Sequence, residues 1–120
     1  MKYLCLIYDD EKKRGAMSKR ESDAIMGEYI AFNEELRKSG HYLAAEPLQS
    51  VQAAATVRVR NGKVTTTDGP FAETKEQLGG FYLINAKDLN EAIQVAAKIP
   101  SARLGSVEVR PIKDFKPPSK

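Results

Sequence analysis

The rhythm of apolar and polar positions changes several times along this chain, and each change marks an element. Residues 2–8, Lys2-Tyr3-Leu4-Cys5-Leu6-Ile7-Tyr8, are apolar and aromatic with no polar alternation. A strand buried on both faces, and therefore central in its sheet, has this composition. Asp9–Met17 is charged and contains Gly15, which predicts a loop. Ser18-Lys19-Arg20-Glu21 then matches a capping box, in which the serine hydroxyl accepts from a first-turn amide while Glu21 reaches back. Ile25, Tyr29, Phe32 and Leu36 follow at steps of four, three and four, one face of an α-helix. Glu28, Glu34, Glu35, Arg37 and Lys38 fill most of the other side, and Gly40 supplies a left-handed residue to end it.

Period two returns after the helix. Tyr42–Ala45 is a short strand closed by Glu46-Pro47. In Ala53–Arg60, Val57 and Val59 alternate with Arg58 and Arg60, predicting a strand with its valines inward and one wet face. Asn61-Gly62 is a strong type I′ turn signal into Lys63–Thr67. Phe81–Asn85 is another buried strand. Asp88 caps a second helix lined by Leu89, Ala92, Ile93 and Ala96 and stopped by Pro100. Ser106–Arg110 closes the series with Val107 and Val109 inward. The resulting order predicts an α+β fold: a ferredoxin-like split βαβ with an antiparallel sheet and two helices on one face. The other sheet face would be bare and rich in Tyr, Val and Thr, so two copies are expected to pack as a homodimer.

Length and composition narrow the function classes. A chain of 120 residues is the size of one domain, expected over residues 1–112, with residues 113–120 as a flexible, proline-containing tail. The charge of +3 arises from 19 basic and 16 acidic residues scattered without a basic stripe, which argues against nucleic-acid binding. The densest cationic run, Lys12-Lys13-Arg14, reads as solvated surface. No run approaches the ~20 apolar residues of a membrane span, and the early strand does not read as a signal peptide, so a cytoplasmic protein is expected. Cys5, the one cysteine, sits within an apolar strand and reads as a small buried hydrophobe. With one cysteine and one histidine no transition-metal triad can be assembled, and no cofactor is expected. His41 follows the helix-ending Gly40, where a positive charge suits the helix dipole.

One segment stands apart. Asp68-Gly69-Pro70-Phe71 opens it, Gly79-Gly80 closes it, and Asp68, Glu73, Lys75 and Glu76 lie within. Gly69-Pro70 fixes a turn, and the glycine pair permits a close backbone approach before the next strand. It is a decorated connection in which Asp68 makes an Asx-turn, or a site. It is not a phosphate loop, since it lacks G-x-x-x-x-G-K and enters a strand.

The run DGPFAETKEQLGGFYLI, with KYLCLIY, EELRKSG, TVRVRNGK and GSVEVRP, resembles the YCII-related, DGPF-domain family over nearly the whole chain. The resemblance implies a dimeric α+β barrel of ferredoxin-like protomers. It also implies association of some relatives with sigma factors, and lyase or dehalogenating activity in a few that use a His–Asp pair. Here Tyr29 occupies the position of that histidine when Glu34-Glu35-Leu36 is aligned, so the His–Asp chemistry does not carry over intact. A phenol near pKa 10 is a poor base at neutral pH.

Two functions follow as expectations. The first is a protein that binds a small organic acid, with cofactor-independent lyase or isomerase chemistry. Asp68 or Glu46 would be its base and Tyr29 its hydrogen-bond donor, while Arg58, Glu73, Lys75 and Arg103 contact the ligand. The alternative is a non-catalytic ligand-binding or regulatory module partnered with a sigma factor. Each residue also has a structural reading: Tyr29 as core, Arg58 and Arg60 as a solvated hairpin, Glu46 as surface. Asp68–Phe81 would then be a dimer arm with Phe71 packed into the other subunit.

Overall fold

In the computed structural model, which describes residues 1–115 and 118, the uninterrupted apolar run becomes the middle of a sheet. The strands are Lys2–Asp9 (β1), Tyr42–Pro47 (β2), Ala55–Arg60 (β3), Lys63–Asp68 (β4), Gln77–Asn85 (β5) and Ser106–Pro111 (β6). The helices are Glu11–Gly15 (α1), Lys19–Lys38 (α2) and Leu89–Ala96 (α3). Four strands form an antiparallel sheet in the order β2-β5-β1-β6, and β3 and β4 pair only with each other. The β1-α2-β2 and β5-α3-β6 units with this order are the split βαβ arrangement. The hairpin is an insertion between them rather than part of the central sheet.

Both long helices cover one face of the sheet. Tyr3, Cys5 and Ile7 of β1 and Tyr82 and Ile84 of β5 share one core with Phe32 and Leu36 of α2 and Ala92, Val95 and Ala96 of α3. The rings of Phe32 and Tyr82 meet edge to face, with centroids 5.2 Å apart at 87°. Burial pushes the Cys5 thiol up to about 11 and, as the largest cause, the Tyr82 phenol up to about 12. The capping box at Ser18 forms as the sequence indicates. Gly40, at φ +81, ends α2 with the amides of Gly40 and His41 donating back to the carbonyls of Arg37 and Leu36.

Four local features depart from the sequence pattern. The charged stretch after β1 is not only loop: Asp10 caps the five-residue α1 by accepting from the amides of Lys12 and Lys13. Strand β5 begins at Gln77, so the glycine pair is inside the sheet. Strand β6 runs one residue past its expected end, to Pro111 opposite Tyr3, and the expected flexible tail lies partly outside the described residues. The fourth departure is the largest. Alternation puts Val57 and Val59 inward, yet they are 60% and 57% exposed, and Val64 beside Val59 is 68% exposed. The hairpin pairs only with itself, and its valines stay more than half exposed among the described residues.

Strand β1 is central, as its composition indicates, but among the described residues the helices cover only one of its faces. Leu4, Leu6 and Tyr8 look away from the helices, in register with Leu83, Phe81 and Leu78 of β5 and with Arg110, Glu108 and Ser106 of β6. The described residues measure 49 × 44 × 19 Å, a thin slab with an arm. Their radius of gyration is 16.9 Å, against about 14 Å for a compact chain of this length.

Candidate functional site

Antiparallel pairing sends the C-terminal ends of β1 and β2 and the N-terminal ends of β5 and β6 to the same rim of the sheet. Asp9 is opposite Gln77, Pro47 opposite Gly80, and Tyr8 opposite Ser106. Three stretches rich in polar residues therefore converge on that rim: α1, the stretch after β2, and the Thr74–Gln77 approach to β5.

A chain of hydrogen bonds fixes these segments to one another. Glu11 accepts from the Ser50 hydroxyl at 2.8 Å and the Val51 amide at 3.1 Å, tying α1 to the stretch after β2. The Glu11 amide donates to Gln77 Oε1 at 3.0 Å, and Gln77 Nε2 donates to the Thr74 carbonyl at 2.7 Å. Ser106 Oγ donates to Glu76 Oε1 at 2.8 Å and so brings in β6. Below this layer Asp9 is 4% exposed and accepts from Arg14 Nη1 at 2.6 Å. These contacts consume the carboxylates and leave the lysines: Lys13 and Lys75 form no ion pair among the described residues.

The rim borders an open cleft of about 520 Å³. Tyr8 and Leu104 are its apolar lining, Lys13 and Lys75 line it with ammonium groups, and Thr74 and Ser106 line it with hydroxyls that donate to Glu76. Asp10 and Glu76 also line it, but Asp10 caps α1 and Glu76 holds Ser106. A volume of this size takes a small organic molecule. Two ammonium groups with no ion-pair partner among the described residues suit an anionic head group, and the tyrosine and leucine suit an apolar body.

The residues singled out from sequence are dispersed. Lys75 lines the cleft. Asp68 pairs with Ala55 at the base of the hairpin, and Glu73 is exposed on the connection that follows. Arg58 is on the hairpin, its guanidinium carbon 5.9 Å from the centre of the Phe71 ring. Arg103 is held by Glu28, whose carboxylate hydrogen-bonds it and raises its pKa. Tyr29 packs against the core on the helix side, where its hydroxyl meets the fully buried Ser101 Oγ at 2.6 Å. Glu46 is exposed opposite Phe81, on the other face of the sheet. Tyr29, Glu46 and Asp68 thus lie in three places and do not form a common centre.

The Asp68–Phe81 segment divides into two parts. Its first part builds the hairpin base: Gly69, at φ +108, donates to the Ala54 carbonyl at 2.8 Å and accepts from Thr56 Oγ1 at 2.9 Å. A side chain at Gly69 would strain that backbone. Its second part seats β5, since a Cβ on Gly80 would come within 2.9 Å of the Glu46 carbonyl. Only Thr74-Lys75-Glu76 between them reaches the cleft. Sequence reasoning missed Tyr8, Lys13, Leu104 and Ser106. The one available signal was Asp10 ahead of Glu11, a helix cap that would have lifted Lys13 out of a featureless charged loop.

At the opposite rim, His41 bridges the ends of two helices. Its Nδ1 lies 2.6 Å from Ser39 Oγ and its Nε2 lies 3.1 Å from Glu91 Oε1. The Lys87 amide, first, and then the His41 ring hold the Glu91 carboxyl below its ordinary range. The nearby amides of Gly40, His41, Ala86 and Lys87 all donate to protein acceptors, so this Ser–His–Glu set pins α2 to α3.

The sequence profile of the YCII-related domain matches residues 1–116. An uncharacterised protein of Rhizobium meliloti (strain 1021) is 41% identical over 119 residues, covering 98% of this chain and 96% of its own length.

Proposed function

The chain belongs to the YCII-related domain family, and we propose that it is a binding protein for a small organic acid, held in the rim cleft. The observation that carries this reading is the difference in partnering between the acidic and basic groups that line the cleft. Both carboxylates lining it already accept protein hydrogen bonds, while Lys13 and Lys75 have no counter-ion among the described residues. A ligand carboxylate would sit between the two ammonium groups, with its carbon skeleton against Tyr8 and Leu104. Arg103 and Arg58, held by Glu28 and stacked over Phe71, stay outside the contact set.

Thermal denaturation against a panel of small mono- and dicarboxylates tests this. A ligand at a hundredfold excess over its Kd stabilises the folded state by about 2.7 kcal/mol and raises Tm by several degrees. Lys13→Ala/Lys75→Ala should weaken such a ligand at least tenfold, and added salt should weaken it for the wild type. A bound acid whose affinity ignores both lysines and salt would overturn the assignment. Chemical conversion of the bound acid would replace a binder with an enzyme.

A further inference from the structure

Asp9 is the one buried carboxylate among the described residues, and the ligand reading leaves it unused. It ends β1 at 4% exposure, continuing the alternation that buries Tyr3, Cys5 and Ile7, while its neighbours Tyr8 and Asp10 line the cleft. A charge so deeply placed is unfavourable unless it is paired and hydrogen-bonded. We propose that Asp9 and Arg14 are a positioning pair that holds Lys13 where a ligand carboxylate meets it. This rests on the ligand reading above and adds to it two residues that act through a third.

The first support is the way α1 is held. Five residues make little more than one helical turn, and a helix that short has no stability of its own in water. Side chains fasten it instead. Asp10 accepts from the amides of Lys12 and Lys13, Glu11 reaches Ser50 and Val51, and Arg14 Nη1 turns back to Asp9 Oδ2 at 2.6 Å. Lys13 stands between these anchors, lines the cleft, and has no ion pair among the described residues. Arg14 is its immediate neighbour, and the buried end of that anchor is Asp9.

The second support comes from the other wall of the cleft. A Cβ on Gly105 would fall 2.1 Å from the Tyr8 carbonyl and 3.0 Å from the Asp9 Cβ, so the chain entering β6 rests on the end of β1. Only a residue without a side chain allows that approach. Gly105 lies between Leu104 and Ser106, both lining residues, and its amide donates to the Ser101 carbonyl at 2.8 Å. Asp9 therefore meets both walls, α1 through the Arg14 guanidinium and the entry to β6 through Gly105. A carboxylate fixed on one side by close packing is a rigid anchor for the helix on the other.

Titration of the intact protein with the mono- and dicarboxylates of the thermal panel, benzoate and succinate among them, tests this. Asp9→Asn should weaken the bound acid on the order of tenfold, the loss of one charge-assisted contact from Lys13. The sign is decisive, because by its field alone the removal of a negative charge near the cleft would strengthen an anion's binding. Arg14→Gln should weaken the acid too, and Arg14→Lys, which keeps a cation for Asp9, should restore most of the affinity. In a Lys13→Ala background neither Asp9→Asn nor Arg14→Gln should weaken binding further, whereas each should add to Lys75→Ala. Should Asp9→Asn not fold, Arg14→Gln carries the same cycle, since its side chain is 48% exposed. Amide exchange reads the pair without ligand: in either variant the Arg14 and Ala16 amides should exchange faster, with those of Cys5 and Ile84 unchanged. A wild type that binds no acid of the panel would overturn the ligand reading and the positioning role with it. Wild-type binding that Asp9→Asn leaves equal or tighter, or α1 amides that exchange as before, would overturn the positioning role alone.

Discussion

The body and the arm are written in the same alphabet and end differently. In the body, Tyr3, Cys5 and Ile7 alternate with Leu4 and Leu6, and α2 and α3 bury the first set to 2%, 0% and 6% exposure. In the arm, Val57 and Val59 alternate with Arg58 and Arg60 just as regularly, yet the valines are left in solvent. Alternation specifies which side chains share a face. It does not specify what covers that face, which depends on elements distant in sequence or on another molecule. The β1 run illustrates the same limit: its lack of polar residues indicates two covered faces, and the single chain covers one.

If the body is a completed core and the arm a half-completed one, substitutions in the two should differ in kind. The largest loss is expected at Ile84, fully buried beneath the helices. Ile84→Ala should lower the unfolding free energy by about 2–5 kcal/mol in urea titrations. Gly80→Ala comes next, because its Cβ would press on the Glu46 carbonyl and the Pro47 backbone, neither of which is a flexible side-chain end. A cost of about 1–3 kcal/mol is expected, read in the same titration. A neutral result at either position would break the comparison from the body's side.

A smaller effect belongs to the pin between the helices. The Glu91 carboxyl is held below its ordinary value by the Lys87 amide and His41. A carboxyl depressed in the folded state stabilises above its unfolded pKa, and that stabilisation is lost as pH falls through the folded value. The wild-type urea midpoint should therefore fall further on acidification than that of Glu91→Gln, and parallel curves would refute the contribution. The least effect is expected in the arm: at dilutions where the chain is a single copy, Val57→Thr should change stability by less than about 0.5 kcal/mol. A loss comparable to that at Ile84 would mean that the arm is packed on its own body.

The sequence made the frame legible because its signals are local. Ser18 with Glu21, the step of Ile25, Tyr29, Phe32 and Leu36, and Asn61-Gly62 at φ +52 and +74 each specify an element within a few residues. The order of those elements was enough for the fold. The site was much less legible, because the cleft draws on three separate stretches: Tyr8 to Lys13, Thr74 to Glu76, and Leu104 to Ser106. None of these is distinctive alone. The distinctive run, Asp68 to Gly80, is mostly occupied with holding the hairpin base and admitting β5 beside Pro47. Lys75 was found because it lies inside that run. Lys13 was passed over because three adjacent cations look like ordinary surface until Asp10 turns them into a helix.

The most direct measurement of the central claim is a map of amide chemical-shift changes as small carboxylates are titrated into the protein. Binding at the rim predicts saturable shifts at Tyr8, Lys13, Thr74–Glu76 and Ser106, lost in Lys13→Ala/Lys75→Ala, with His41 and Glu91 unmoved. Shifts centred on His41 and Glu91, or on the exposed arm, with the rim silent, would contradict it.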